Sequence, residues 1–214
     1  MNSLEKSVEQ LYRSLDGQRK PRAIDGCPCC VNKDDLCKLL SKDRETLNAG
    51  DLERYAFKAI TTIGTSEDYL YFLPRILELY AADPRSLPDI EVTYGKIAEC
   101  EPQQWPEERQ TALRNYTANV VESLVQSETF ELLDSWLCAS GRAGLPISPL
   151  LKIIEANPKA TFEVYSHNEE ASTKKKLGNA FWEKHFNGYQ ELVEWLCSDL
   201  VFQTVCNIYE KMDY

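Results

Sequence analysis

The sequence predicts an all-α fold, and three observations carry that prediction. Apolar side chains recur at three- and four-residue spacings along most of the 214 residues, which places them on one face of a helix. Gly, Pro, Asn and Asp punctuate the chain between those segments, as turn and cap residues do. Two-residue alternation, the mark of a strand, is weak throughout. Hydrophobic residues make up 43% of the chain and aromatics 10%, so a core forms without metal or disulfide staples; a chain of this size buries about 70% of its extended surface.

Taken in order, Leu4, Val8, Leu11 and Leu15 share a helical face, and Gly17 ends that segment. Residues 17–33 read as an irregular, cysteine-containing connector broken by Pro21, Gly26 and Pro28. Asp34 or Asp35 is expected to cap a short helix carrying Leu36, Leu39 and Leu40. A longer amphipathic helix is expected from Asp51 to Ile63, with Leu52, Tyr55, Ala56, Ala59, Ile60 and Ile63 as its stripe and Gly64 as its stop. Ser66, with Glu67 and Asp68 in the first turn, starts the next helix, where Tyr69, Phe72, Leu73, Ile76, Leu77 and Tyr80 make a wide apolar surface. Pro74 lies inside it and, lacking an N–H, is expected to bend or divide it. The short join makes these two helices an antiparallel hairpin.

Ile90, Val92, Tyr94, Ile97 and Ala98 fit a helix better than a strand. Pro106, followed by Glu107 and Glu108, opens a strong helix to Val125. Another contains Phe130, Leu133, Trp136 and Leu137 and stops at the glycines Gly141 and Gly144. Pro146 and Pro149 introduce an element through Leu150, Leu151, Ile153 and Ile154. Pro158–Tyr165 opens a helix with a polar continuation through Lys184, and Tyr189–Met212 reads as one long helix. Roughly seven to ten helices with short turns point to a single helical domain over 1–214, built of irregular stacked hairpins of a HEAT-like kind. A compact multi-helix bundle is the rival architecture, since no clean internal period is visible.

The 24 Lys and Arg residues against 34 Asp and Glu leave a net charge of -10. The excess is spread evenly: 19 acidic and 14 basic residues up to Glu107, 15 and 10 beyond it. Direct nucleic-acid binding is disfavoured, because it needs a cationic surface. An acidic surface instead steers a basic protein or cationic ligand into contact. Residues 1–10 lack the order of a signal peptide, and no run approaches the ~20 apolar residues that cross a bilayer. No membrane association and a cytoplasmic location are expected.

Four of the eight cysteines crowd together: Cys27, Cys29, Cys30 and Cys37. Four thiolates suit tetrahedral zinc, although this spacing departs from paired ligand knuckles, and reduced thiols under a loop or redox-sensitive thiols fit as well. No cofactor is favoured, zinc being the one the cluster would take. The two histidines, His167 and His185, form no metal pattern; His185, near Phe181, Trp182 and Phe186, is expected to be partly buried, and His167 exposed. GxSxG, GxxxxGK, GxGxxG and HExxH are all lacking, so no residue is nominated as catalytic and a non-enzyme is favoured. Lys174, Lys175 and Lys176, the basic triplet, read as a solvated helix face. For an interaction surface the candidates are the acidic pairs Glu107 and Glu108, and Glu169 and Glu170, with Trp105 and Trp136 as aromatic anchors, although most aromatics sit in core periodicity.

The segment CPCCV at Cys27–Val31, then DLERYAFKAITTIG at Asp51–Gly64 and DYLYFLPRILEL at Asp68–Leu79, resembles a group of uncharacterised bacterial proteins. The resemblance implies a bacterial source and transfers no activity. The function expected is that of an acidic helical interaction module with a basic protein partner, neutralising it as an immunity protein would or scaffolding it. The alternatives are a hydrolase or metal-dependent enzyme, whose acids from separate helices would have to converge in a pocket, and a zinc-supported structural adaptor. The sequence leaves the oligomeric state open.

Overall fold

The computed structural model describes residues 2–27, 32–174 and 176–212. The fold is all-α, with twelve α-helices among the described residues. Packing divides the chain into two compact units, one through Tyr116 and one from Thr117. No tandem hairpin repeat is evident among the described residues of either.

The first unit contains α1 (Ser3–Ser14), α2 (Lys33–Ser41), α3 (Ala49–Lys58), α4 (Ser66–Ala82), α5 (Ile90–Glu99) and the start of α6 (Glu107–Gln126). Capping residues set the starts. Asn2 with Glu5, Asn48 with Asp51 and Thr65 with Asp68 each form a reciprocal capping box, which satisfies two otherwise orphaned amides and stabilises a helix by about 1 kcal/mol. Asn32, not Asp34 or Asp35, caps α2; α4 starts at Ser66 as expected, with Thr65 as its cap. Pro74 is buried in α4, which runs on undivided.

The helix expected through Ile63 ends at Lys58. Tertiary pairing overrides its periodicity there. The Cys27 amide donates to the Thr62 carbonyl at 2.9 Å and the Gly64 amide to the Asp25 carbonyl at 2.7 Å, so the chain at 62–64 pairs with the connector. Ile60 takes a left-handed φ of 67°, a strained conformation for a β-branched residue. α4 lies at the centre of this unit, contacting α1 and α3, and buries Tyr69, Phe72, Leu73, Ile76, Leu77 and Tyr80.

The second unit holds the remainder of α6 with α7 (Leu133–Arg142), α8 (Ser148–Glu155), α9 (Pro158–His167), α10 (Ala171–Lys174), α11 (Asn187–Leu196) and α12 (Asp199–Met212). α7 is buried on nearly all sides, with Trp136 the largest fully enclosed side chain. Two expected long elements are broken. After His167, Asn168 turns inward, donating to Asp134 Oδ1 at 2.7 Å and accepting from the Gly178 amide at 2.8 Å; the chain winds around that buried amide instead of continuing as helix. Ser198 divides the long terminal helix, its hydroxyl accepting from the Val201 amide at 3.4 Å. Ser before Asp is a helix-start signal that the apolar periodicity across it concealed.

Candidate functional site

A recess in the first unit lies where α1 crosses the last turn of α4. It has a volume of about 490 Å³ and is lined by Asn2, Leu4, Glu5, Val8, Glu9 and Tyr12 from the α1 side and by Glu78, Ala81 and Ala82 of α4. Local sequence makes the space. Leu11 and Leu15 anchor the later turns of α1 in the core, while Ala81 and Ala82 carry only methyl groups and leave the volume beneath its first turns unfilled.

Three carboxylates edge the recess, and no Lys or Arg is among its described lining residues. Glu5 serves the helix start, its Oε2 accepting from the Asn2 amide at 2.9 Å. Glu9 faces Arg13 at 3.4 Å, a solvent-exposed pair of small energetic weight. Glu78 Oε2 accepts from the Tyr12 hydroxyl at 2.6 Å and from Arg75 Nη1 at 2.6 Å. Arg75 is itself pinned, its Nε donating to the Leu47 carbonyl at 2.7 Å. Burial, and then the Glu78 carboxylate, push the Tyr12 phenol well above its ordinary range; it remains a donor at any physiological pH. The Tyr12 ring also receives the Arg44 guanidinium, 5.1 Å from its centroid.

Chemically this is an apolar floor under an anionic edge. Leu4, Val8, Ala81 and Ala82 can cover an aliphatic stem while the carboxylates meet a cationic head, the two-part match that Lys and Arg side chains require.

The residues singled out from sequence lie elsewhere. Glu107 is exposed and is bonded by Arg114 and Thr111, the Arg114 bond foremost in holding its carboxyl below the usual range. Glu108 is exposed beside it. Trp105 is only 8% exposed and Trp136 1%, so their rings fill the interior; the Trp105 indole N–H donates to the Cys100 carbonyl at 2.7 Å. Glu169 and Glu170 are exposed on a smaller recess near the end of α9, and Lys174 bridges Glu170 at 2.6 Å.

Of the cysteine cluster, Cys27 is half-buried and Cys37 exposed; Cys29 and Cys30 lie outside the described residues. Among the described residues no group of three or more His, Cys, Asp and Glu is arranged to hold a metal ion. Burial pushes the Cys100 thiol up to about 11. His185, expected to be partly buried, is exposed, with Nδ1 3.4 Å from Glu183 and the ring against Phe186; the aromatic neighbours in sequence are held by other contacts, Trp182 by Tyr189 and Phe181 by Arg142. His167 is exposed, as expected.

Sequence reasoning missed Glu5, Glu9 and Glu78. Glu5 and Glu9 at i, i+4 beside Leu4 and Val8 were a visible signal, but Glu78 joins them only through packing, 66 residues along from Tyr12. Among the described residues no helix is long and apolar enough to cross a membrane. No family model, no curated protein and no solved structure matches the chain.

Proposed function

We propose that the protein is an acidic interaction module that receives a basic segment of a protein partner in the α1–α4 recess, neutralising or scaffolding that partner. The observation that carries this reading is the set Glu5, Glu9 and Glu78 around an apolar floor, with no lysine or arginine among its described lining residues. The net charge of -10 adds long-range steering toward a cationic partner and away from nucleic acid.

Fluorescence anisotropy of labelled hexalysine, with hexaglutamate as control, tests the reading. Binding that weakens with salt, and falls about fivefold in the Glu5→Gln, Glu9→Gln double variant, is the expected result, because exposed ion pairs contribute about 0.5 kcal/mol each. Gln at position 5 preserves the capping box. Equal binding of both peptides, or no effect of the double variant, contradicts it.

A second reading, a pocket for a small cationic substrate, is favoured by the supply of acids from two separate helices to one concavity of ligand size. Spermidine binding tighter than hexalysine would move the assignment there. The zinc-supported adaptor remains a proposal resting on Cys27, Cys29, Cys30 and Cys37; stoichiometric zinc in reduced protein, lost on Cys37→Ser, is its test.

A further inference from the structure

Two of the four large apolar side chains exposed among the described residues share one stripe of α12, Phe202 at 67% and Tyr209 at 47%. Leu200, 46% exposed, lies on the opposite side of that helix. The helix packs on α9 and α11 and buries Val201 and Val205. Phe202, the half-buried Cys206 and Tyr209 follow at i, i+4 and i+7 along the neighbouring stripe. Tyr209 meets Phe162 of α9 edge-on, with centroids 5.4 Å apart, which extends the apolar surface onto a second helix. The flank on the other side of the stripe carries Asp199, Gln203 and Glu210, all exposed, at i, i+4 and i+11. Lys211 projects from the opposite side of the helix, as the 100° advance per residue requires.

We infer that the α12 face is a second docking surface, whose occupant is a basic amphipathic helix of a partner protein. Its apolar positions would cover Phe202, Cys206 and Tyr209, and its Lys or Arg residues would lie along the Asp199–Glu210 edge. Helix-in-groove recognition has this form, with anchors at i, i+4 and i+7 and charge along the border. Size favours one helix over a folded domain: a few exposed side chains cannot supply the ~800 Å² per partner of a standard interface. Charge disfavours a second copy of this chain. In an antiparallel pair of α12 helices like edges face one another, setting Asp199 of one copy near Glu210 of the other. The surface shares no residue with the α1–α4 recess.

The test is anisotropy of a labelled helical peptide of about 18 residues, five turns, with Leu at i, i+4, i+7 and i+11 and Lys at the flanking positions; its control carries Glu in place of Lys. Wild-type protein is expected to bind the Lys peptide, and Phe202→Ala and Tyr209→Ala each to weaken it about tenfold, as aromatic anchors do. Asp199→Asn with Glu210→Gln is expected to flatten the salt dependence. Glu5→Gln with Glu9→Gln is expected to leave this binding unchanged, which separates it from the recess. Circular dichroism verifies that each variant is folded, and Phe202→Ser provides a second substitution at the same exposed site. The inference is overturned by no binding to wild type, by unchanged binding to Phe202→Ala and Phe202→Ser, or by equal binding of the Glu peptide. A dimer in sedimentation that Phe202→Ala dissolves also overturns it, giving the face to a second copy.

Discussion

The two units solve the problem of a polar group in the interior by different means. Through Tyr116, tyrosine hydroxyls reach the main chain: Tyr69 donates to the Thr93 carbonyl at 3.1 Å, Tyr116 to the Leu77 carbonyl at 2.7 Å, and Tyr80 to the Pro88 carbonyl. From Thr117 onward the buried hydroxyls are on small side chains, Ser140 donating to the Trp136 carbonyl at 2.7 Å and Thr161 to the Ile154 carbonyl at 3.1 Å, one amide is buried against a carboxylate, and glycines admit large neighbours. A methyl group on Gly141 would sit 2.7 Å from Trp182 Cζ3, and one on Gly188 3.0 Å from Ile147 Cγ2. Large amphipathic rings give the first unit both its volume and its polar ties, whereas shape fit governs the second. Substituting for size should therefore hurt the second unit most, and deleting ring hydroxyls should register in the first.

The largest effect is expected for Trp136→Ala, which empties a side chain 1% exposed and should cost about 4 kcal/mol in urea unfolding. Gly141→Val should cost about 3 kcal/mol, because the indole it meets is itself buried. Asn168→Ala, removing the amide that joins Asp134, Val164 and Gly178, should cost about 2 kcal/mol. In the first unit Tyr116→Phe should cost about 1 kcal/mol. Tyr55 sharpens the contrast: its hydroxyl is buried with no hydrogen-bond partner among the described residues, so Tyr55→Phe should be neutral or stabilising by a few tenths of a kcal/mol. A loss in Tyr55→Phe equal to that in Tyr116→Phe would break the hydroxyl argument.

The smallest effect concerns pH. Lys42, donating at 2.6 Å, and the Asn48 amide hold the Asp51 carboxyl below its usual value. A carboxyl lowered in the folded state contributes stability above its unfolded pKa, and that contribution is lost as pH falls through the folded value. Lys42→Met should return the Asp51 titration toward the ordinary carboxylate range in an NMR experiment. The accompanying stability difference should be slight at neutral pH, since Lys42 is half-exposed and its pairing is screened by solvent, and should vanish in acid.

Periodicity made much of this fold legible. α1, α5 and α6 lie where Leu4–Leu15, Ile90–Ala98 and Pro106–Val125 place them, since each buries an apolar face. It failed where a distant partner claimed the backbone. Ile60 and Ile63 continue the stripe of α3, yet the connector at 25–27 bonds the main chain of Thr62 and Gly64 and the Ile60 amide turns back to the Ile63 carbonyl. Asn168 looks like one more polar residue in a helix, yet Asp134 draws it inward. The recess was less legible still: its acids are ordinary surface glutamates until α1 packs on α4, and its volume depends on what Ala81 and Ala82 lack. The chosen acidic pairs, Glu107 with Glu108 and Glu169 with Glu170, were visible because they are adjacent, and adjacency places neighbouring helical side chains about 100° apart.

Amide chemical-shift mapping with added hexalysine tests the acidic-recess account most directly. Perturbations confined to residues 4–12 and 78–82, and abolished in the Glu5→Gln, Glu9→Gln variant, are the expected result. Shifts scattered across acidic residues of both units, or persisting at the recess in that variant, would contradict it.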